Sequence, residues 1–432
     1  MSKTINRYSI MKQRLNRYIF LWLVGFTQLV PVSAQRVYTL DECLQRALEN
    51  NVRIKNAGNN LEIAKQGSQE AFTKYFPSLS ATGTGFMADK GLLQLDMGPG
   101  MQMSLMKKGV VGGVSASMPL FTGGQIVNGN KLAKVNIQVN RLQYNQSENE
   151  VKLTTENYYW QVVMLKEKLQ TITVVEAQLA NLLKDVEASV NAGVTTRNDL
   201  LQVQLRQNEI ESSRSQIENA LTLSQQVLAQ YIGEDSGIVA VAGEVLPEHP
   251  QGLYRNPESS LVLTNEYHLL QQNLKANKLQ RRITVGKYLP TIAIGGGYMY
   301  DNLMDKDHPF WMGFATVSIP LSGWWGGSHD VRKQELQVRN AENQLTDQSE
   351  LLMQQNWNDL TDAYKQMQIS MRSIEQATEN LRLNTDYYKV GTCTMNDLLD
   401  AQTLFQQSKD RYVESYAWYE VKKCEYLQAT GR

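Results

Sequence analysis

The chain contains 432 residues, of which 42 % are hydrophobic and 20 % are charged. This composition excludes an intrinsically disordered protein, and the length allows two or three ordinary domains. The formal net charge is zero, so the chain lacks the strongly basic balance that is typical of nucleic-acid binders.

Residues 1–34 have the pattern of a secretory signal peptide. Five Lys or Arg residues precede an apolar run over residues 18–30, and Val32-Ser33-Ala34 follows as a cleavage site. An N-terminal membrane anchor is the alternative, which the run of 13 residues disfavours because a bilayer span needs ~20. Removing five of the 43 basic residues leaves 38 against 43 acidic ones, a net charge of −5. We therefore predict an exported, mildly acidic chain without a nucleic-acid partner.

Glycine and proline, which both interrupt helices, divide the rest of the chain. Neither occurs in residues 130–192 or 328–390, two stretches of 63 residues each. Neither occurs in residues 194–232 or 392–430, two stretches of 39 residues each. The paired stretches share one offset of 198 residues, which indicates internal duplication.

Each repeat is predicted to contain the same elements in the same order. A first helix, over residues 41–74 or 258–287, precedes two strands, a long helix and a shorter helix. We assign residues 35–233 to the first structural repeat, residues 234–257 to an inter-repeat equatorial segment, and residues 258–432 to the second repeat.

The long helices have the spacing of coiled coils. Apolar residues recur at steps of three, four and seven, as at Leu165, Leu169 and Ile172, which predicts narrow seams. Gln and Asn are frequent between the seams, for example in residues 343–348 and 354–359. A solvated outer face explains any one of them, but over a whole helix the pattern favours the wall of a water-filled tube. Each 63-residue helix is ~95 Å long, against ~40 Å for a bilayer.

Four segments between the helices are predicted strands. They cover residues 77–88, 109–120, 290–301 and 309–321. One face of each is apolar and the other small or polar, with aromatic residues near the ends, which is typical of outer-membrane barrel strands. An ordinary soluble hairpin is the alternative for either pair. Because four strands cannot close a barrel, the chain must oligomerise if they span a membrane.

No residue pattern indicates catalysis. The histidines His249, His268, His308 and His329 lack metal-ligand spacing, and neither a G-x-S-x-G motif nor a P-loop is present. We therefore expect no enzyme activity, cofactor or metal site. The chain has three cysteines, so at most one disulfide bridge can form, and we do not predict one. The cysteines also lack the short spacing that is typical of metal ligands.

Paired motifs mark the ends of the predicted elements. The first helices end in Tyr75-Phe76-Pro77 and Tyr288-Leu289-Pro290. The second strands end in Pro119-Leu120-Phe121-Thr122-Gly123-Gly124 and in Pro320-Leu321-Ser322-Gly323, the latter followed by Trp324-Trp325. Gly193 and Gly391 each precede Asn-Asp-Leu-Leu. In this order, twice over, the motifs resemble the outer-membrane efflux protein family, of which TolC is the archetype.

The resemblance implies a mainly α fold with a small membrane β part. Long antiparallel coiled coils would form a periplasmic α-barrel, and four strands from each chain of a homotrimer would form a twelve-stranded transmembrane β-barrel. The implied protein is a passive exit duct in the outer membrane, surrounded by lipid and extending far into the periplasm. It would work with a periplasmic adaptor and an inner-membrane pump, in efflux or in type I secretion. A periplasmic coiled-coil adaptor or structural protein without a channel is the alternative.

The resemblance also implies roles for individual residues. Asp397 and Asp400 would line the periplasmic aperture, and Asp199 would join the network that closes it. Arg197 is a candidate substitute for a basic residue that the family archetype has where this chain has Cys393. The adaptor-docking turns are Gly193, Val194, Gly391 and Thr392. The strand–helix junctions are Pro77, Pro119, Gly123, Gly124, Pro290, Pro320, Trp324 and Trp325. Helix capping alone, with Asn198 and Asn396 near the helix starts, is the competing explanation of the turn motif.

Overall fold

The computed structural model describes residues 37–96, 98, 102–234, 240–241, 249–256, 260–303, 306–321, 323–347 and 351–432. The predicted signal peptide and most of the inter-repeat segment lie outside the described residues. The helices are α1 (Leu40–Asn50), α2 (Val52–Thr73), α3 (Gln125–Asn191), α4 (Arg197–Ile232), α5 (Asn265–Gly286), α6 (Gly323–Thr346), α7 (Leu351–Lys389) and α8 (Met395–Ala429). The strands are β1 (Val37–Tyr38), β2 (Ser78–Met87), β3 (Leu93–Asp96), β4 (Gln102–Leu105), β5 (Lys108–Thr122), β6 (Ala240–Val241), β7 (Thr291–Asp301) and β8 (His308–Ser318).

The four predicted strand segments form one antiparallel sheet in the order β2-β5-β7-β8. Strands β5 and β7 join the two predicted repeats, with Val114 opposite Tyr298. The helices next to the sheet follow the same order, because α2 packs on α3, α3 on α5, and α5 on α6. The prediction of a mostly helical chain with a small sheet is therefore confirmed.

The passage from strand β5 into helix α3 depends on two glycines. Gly123 and Gly124 have φ values of 61° and 79°, in the left-handed region that other residues rarely adopt. A β-bulge between Pro119 and Phe121 precedes them and bends the strand. Helix α3 then runs for 67 residues, which corresponds to ~100 Å.

The long helix predicted over residues 328–390 is described in two parts. Helix α6 ends at Thr346, Asp347 adopts a bend, and helix α7 begins at Leu351. Residues 348–350, which would join the two parts, lie outside the described residues, so one continuous helix stays a prediction there.

The predicted first helices also differ from the structure. Residues 41–74 form two helices rather than one, because Asn51 ends α1 and caps α2 by accepting a bond from the Arg53 amide at 2.8 Å. In the second half, helix α5 begins at Asn265, after Thr264 as its N-cap, and the predicted start at residue 258 lies outside the described residues.

Away from the sheet the chain forms two helical hairpins, α3 with α4 and α7 with α8. Helix α8 packs against α3 and thereby joins the hairpins. Among the residues that the structure describes, no helix combines the length and the hydropathy that crossing a membrane requires. Cys43, Cys393 and Cys424 are free thiols, so the single disulfide bridge that the sequence allowed is not formed.

Candidate functional site

The two hairpin turns have the same backbone design. Gly193 and Gly391 have φ values of 71° and 74° and follow the ends of α3 and α7. The Gly391 amide donates to the Tyr388 carbonyl at 3.0 Å, and the next amide donates to the Tyr387 carbonyl at 2.9 Å. The first turn repeats this pattern, which is a Schellman motif. An added Cβ would meet nothing within 4 Å at either glycine, so the left-handed φ alone requires glycine there.

Both second helices begin with a capping box. The Thr196 hydroxyl accepts from the Asp199 amide at 3.3 Å, and the Asp199 carboxylate accepts from the Thr196 amide at 3.3 Å. Thr394 and Asp397 repeat the arrangement at 3.2 and 2.9 Å. The N-caps are therefore the threonines, and Asn198 and Asn396 lie in the first turns just after them.

These bonds change the acidity of both carboxyls. The bonds from Thr394 lower the pKa of Asp397, and the bond from the Thr195 hydroxyl does most to lower the pKa of Asp199. Both groups are therefore ionised at neutral pH, and each carries its negative charge in the first turn of a helix, where the helix dipole favours it.

The two turns lie side by side because the hairpins share an apolar core at this end. Met395, only 2 % exposed, belongs to the second hairpin but packs in a cluster otherwise made by the first. The buried members of this tip core are Ile172, Val175, Leu179, Val186, Val203, Ile210 and Met395. A groove of about 790 Å³ separates the turns themselves, with Asp199 and Cys393 in its lining.

Polar side chains of both hairpins meet in this groove. The Thr195 hydroxyl donates to the Asp199 carboxylate at 2.5 Å, and Tyr388 of the second hairpin lines the same groove and interacts with Thr195. Because the single Thr195 proton goes to Asp199, a hydrogen bond between the two hydroxyls would have Tyr388 as its donor. Burial does most to raise the pKa of Tyr388, and the charge of Asp199 adds to the effect. We call Tyr388, Thr195 and Asp199 the tip bridge.

The sequence analysis missed Tyr388 and Thr195. The offset of 198 residues could have pointed to Tyr388, because the corresponding residue of the first predicted repeat is the apolar Val190 and Tyr388 adds a hydroxyl there. Nothing in the sequence alone places that hydroxyl beside a threonine almost 200 residues away.

The other predicted aperture residues make fewer polar contacts within the described residues. Asp400 is exposed and makes no hydrogen bond or ion pair within the described part of the chain. Arg197 is likewise exposed and pairs with none of the described carboxylates of its own chain. The Cys393 thiol donates to the Asn384 carbonyl at 3.3 Å, so it contacts helix α7 of its own hairpin. The structure therefore supplies no contact that makes Arg197 a substitute for a basic residue at that position.

The predicted strand–helix junctions lie together where the sheet meets the helices. The side-chain amide of Gln125 donates to the Gly286 carbonyl at 3.2 Å and thereby joins α3 to α5 just after Gly123 and Gly124. Tyr288 lies over Gly327, where an added Cβ would be 2.7 Å from its ring. Trp325 is 74 % exposed. Pro77 and Pro290 directly precede β2 and β7, whereas Pro119 lies three residues before the end of β5 and Pro320 two residues after the end of β8.

Within the described ranges of the chain, no group of three or more His, Cys, Asp or Glu residues could hold a metal ion. The arrangement at the turns consists of two helix tips that share an apolar core and have carboxylates beside the groove between them.

Residues 43–234 match the family model for outer membrane efflux proteins. The fold is similar to that of the outer membrane protein VceC from Vibrio cholerae, with a TM-score of 0.75 and 14 % identity over 91 % of this chain and 96 % of that chain. The Campylobacter jejuni outer membrane channel CmeC gives a TM-score of 0.76 and 13 % identity, with 91 % and 85 % covered. The open state of the Neisseria gonorrhoeae outer membrane channel MtrE gives 0.69 and 15 %, with 91 % and 88 % covered.

No curated protein matches the chain in sequence. Identities this low to the solved structures establish the fold alone. The family match adds the sequence pattern of the first repeat and confirms the resemblance to outer membrane efflux proteins.

Proposed function

We propose that this chain is an outer-membrane channel that serves as the passive exit duct of an efflux assembly. The family match and the full-length similarity to outer membrane channels support efflux, transport and a location in the outer membrane. The finer assignments concern the homotrimer, the cargo, the adaptor and the pump, and they are proposals that rest on the contacts below.

The observation that carries the proposal is the open sheet. Among the described residues, strands β2 and β8 each pair with one neighbour, so within this part of the chain the four-stranded sheet has two free edges. Ten of the eleven β8 residues are exposed, as are nine of the ten in β2. Free edges of this length invite further pairing, and lipid tolerates no unpaired backbone. Three copies joined edge to edge would close twelve strands into a barrel.

The helices fit the periplasmic part of the same assembly. Helix α3 alone is ~100 Å long, more than twice the thickness of a bilayer, and its surface between the seams is rich in Gln and Asn. The exposed turns at the far end are the proposed docking points for a periplasmic adaptor. Val194 is 80 % exposed there, and Gly193, Gly391 and Thr392 are exposed beside it. Energy for transport would come from an inner-membrane pump.

The aperture is proposed to lie at the packed tips. Asp397 is already used as a cap, so Asp400 is the carboxylate that is free to face a pore. A threefold ring of Asp400 would attract cations, as rings of charged side chains do in other pores. We therefore assign ion selection mainly to Asp400 and tip geometry mainly to Asp397 and Asp199.

Planar-bilayer recording of the full-length protein tests this proposal. Asp400→Asn should reduce cation selectivity, seen as a shift of the reversal potential in a salt gradient, while the exposed Glu211→Gln on α4 should leave it unchanged. An unchanged reversal potential in Asp400→Asn would reject the aperture assignment. Membrane fractionation with crosslinking tests the channel itself, since a monomer in the soluble periplasm would reject it and favour the adaptor or structural alternative.

A further inference from the structure

The connection between β2 and β5 contains a separate two-stranded sheet, the hairpin of β3 and β4. Leu93 lies opposite Leu105 and Leu95 lies opposite Met103, so these four apolar side chains share one face. Leu93, Leu95 and Met103 are 40 %, 42 % and 49 % exposed. A two-stranded hairpin is marginally stable in water unless its apolar face packs on something. Among the described residues no third strand pairs with this hairpin, so its apolar face is open to a partner.

The β3–β4 hairpin lies at the end of the sheet that is farthest from the helices. Strand β2 begins just after α2 and strand β5 ends just before α3, so their other ends point away from the helical part. Met87 and Lys108 form the last pair of the β2–β5 ladder, and the Ala88 amide then donates to the Lys107 carbonyl at 2.8 Å. In the proposed exit duct the helices are periplasmic, so the hairpin lies on the outer side of the membrane.

The two faces of the four-stranded sheet differ in chemistry. On one face the serine hydroxyls of β2 and β5 pair, as those of Ser80 and Ser115 do at 3.0 Å. On the other face Val110 and Val114 of β5 are more than half exposed. An outer-membrane barrel turns its apolar face to lipid and its polar face to the lumen. The face that carries Val110 and Val114 is therefore the lipid face.

The lipid face of β5 ends at a lysine. From Met118 to Val110 this face consists of apolar residues and glycine, over eight residue steps that correspond to ~26 Å along the strand. The apolar band of an outer-membrane barrel is ~25 Å tall, so this stretch covers most of it even in a tilted strand. Lys108 is the next residue on this face and is exposed. It therefore marks the outer boundary of the lipid band, where phosphate headgroups lie.

Two further lysines lie beside Lys108 at the base of the hairpin. Lys90 and Lys107 are exposed, and none of the three lysines forms an ion pair with a described carboxylate. The Asp89 carboxylate accepts from the backbone amide of Lys90 at 2.9 Å. Residues 88–92 and 106–108 thus contain three lysines against the one carboxylate of Asp89. This excess of positive charge complements the phosphates of an anionic lipid surface.

We propose that the β3–β4 hairpin docks on the outer leaflet of the membrane, with its apolar face at the boundary of the acyl chains and with Lys90, Lys107 and Lys108 on lipid phosphates. Burial of apolar area and attraction to anionic lipid add together in contacts of this kind. The inference rests on the proposed function, because only a membrane-spanning sheet brings the hairpin to that surface.

A contact between the hairpins of neighbouring copies, over the mouth of the barrel, would cover the same apolar face. It would leave the three lysines without partners, because the carboxylates of the nearby β7–β8 connection are already bonded. Asp307 accepts from the Tyr300 hydroxyl at 2.6 Å and from the Asn302 side-chain amide at 2.8 Å. Asp301 contacts the His308 ring at 3.2 Å. Lipid phosphates therefore use both the apolar face and the charge of the hairpin, whereas a second copy uses only the first.

Hydrogen exchange of the full-length protein in lipid nanodiscs tests the proposal. Discs of phosphatidylcholine alone are compared with discs that contain about one third phosphatidylglycerol, which is anionic. The readout is the protection of residues 92–96 and 102–106, with residues 78–87 of β2 as the internal reference. A lysine near an anionic surface contributes about fivefold to binding, so the hairpin should exchange roughly five- to hundredfold more slowly in the anionic discs. Salt at about 1 M should remove most of that difference.

Three variants separate the charge from the apolar face. Combined Lys90→Gln, Lys107→Gln and Lys108→Gln should abolish the difference between the two lipids. Leu95→Ser should lower the protection of the hairpin in both lipids, because it removes apolar contact and no charge. The matched control changes three exposed lysines of the helices to Gln and should retain the difference; these are Lys55, Lys184 and Lys333.

The outcomes distinguish the docking from the proposed function. Equal exchange of the hairpin in both lipids would overturn the docking and favour a contact between copies. A difference that persists in the triple lysine variant, or unchanged protection in Leu95→Ser, would overturn it as well. Failure of the protein to enter the discs would reject the membrane-spanning sheet and the docking with it.

Discussion

The tip bridge gives a quantitative prediction through Tyr388→Phe. This change removes the hydroxyl that reaches Thr195 but keeps the ring, and it leaves the bond from Thr195 to Asp199 intact. A single hydrogen bond between the two hydroxyls would contribute about 0.5 to 1.5 kcal/mol net. Its loss should therefore shift the equilibrium between joined and separated tips by roughly two- to tenfold toward separation.

Single-channel recording of the full-length protein measures this shift as the ratio of open to closed time. Thr195→Val removes the same bond from the other side, so the double variant with Tyr388→Phe should be less affected than the two single effects added together. Tyr387→Phe is the matched control, because Tyr387 is the neighbouring residue and is 49 % exposed.

Two results would refute the reasoning. If the effects of Tyr388→Phe and Thr195→Val simply add, the two hydroxyls do not act through one bond. If Tyr387→Phe opens the tips as much as Tyr388→Phe does, a general loss of tyrosine hydroxyls at the helix end explains the result and the bridge has no special role.

Two further predictions concern the folded chain. Gly286→Ala should lower the free energy of unfolding by about 1 to 3 kcal/mol, because the new Cβ would lie 2.5 Å from the Gly123 carbonyl oxygen, whereas Gly129→Ala in open helical space should stabilise by up to about 1 kcal/mol; chemical denaturation compares them, and equal effects would contradict the close approach. A maleimide near pH 6.5 should label only Cys393 in the folded protein, because Cys43 and Cys424 are buried whereas Cys393 is half-buried. Burial raises the pKa of all three thiols, to about 12 for Cys43; mass spectrometry should show a single adduct before denaturation and three after it, and a second adduct on the folded chain would contradict the burial.

The turns could be predicted from the sequence because their cause is local. A left-handed backbone needs glycine whatever surrounds it, so Gly193 and Gly391 mark the turns without any knowledge of the fold. The strands could equally be predicted from the sequence, since alternation of apolar residues is a property of each segment. The bend at Asp347 could not be predicted, because neither glycine nor proline stands at that point of the sequence.

The functional contacts at the tips required the tertiary structure. Asp199 could be suspected from its motif. Tyr388, which lines the same groove, is brought close to it by the packing of α8 on α3, which joins the two hairpins. Met395 likewise looks like an ordinary helix residue in the sequence and becomes part of the core of the other hairpin. Local rules identify which residues can serve, and packing determines which of them meet.

The predicted duplication is unequal at the tips. By the offset of 198 residues, Tyr388 corresponds to Val190, Thr195 to Cys393, and Asp400 to Gln202. The tip bridge uses the hydroxyl of each pair that has one, so the swapped contact would place Val190 against Cys393 and could not form an O–H to oxygen bond. If the two predicted repeats alternate around the proposed homotrimer, the contact between neighbouring copies would be that swapped contact. The tips would then be joined by weaker contacts between copies than within each copy, so separation should begin between copies.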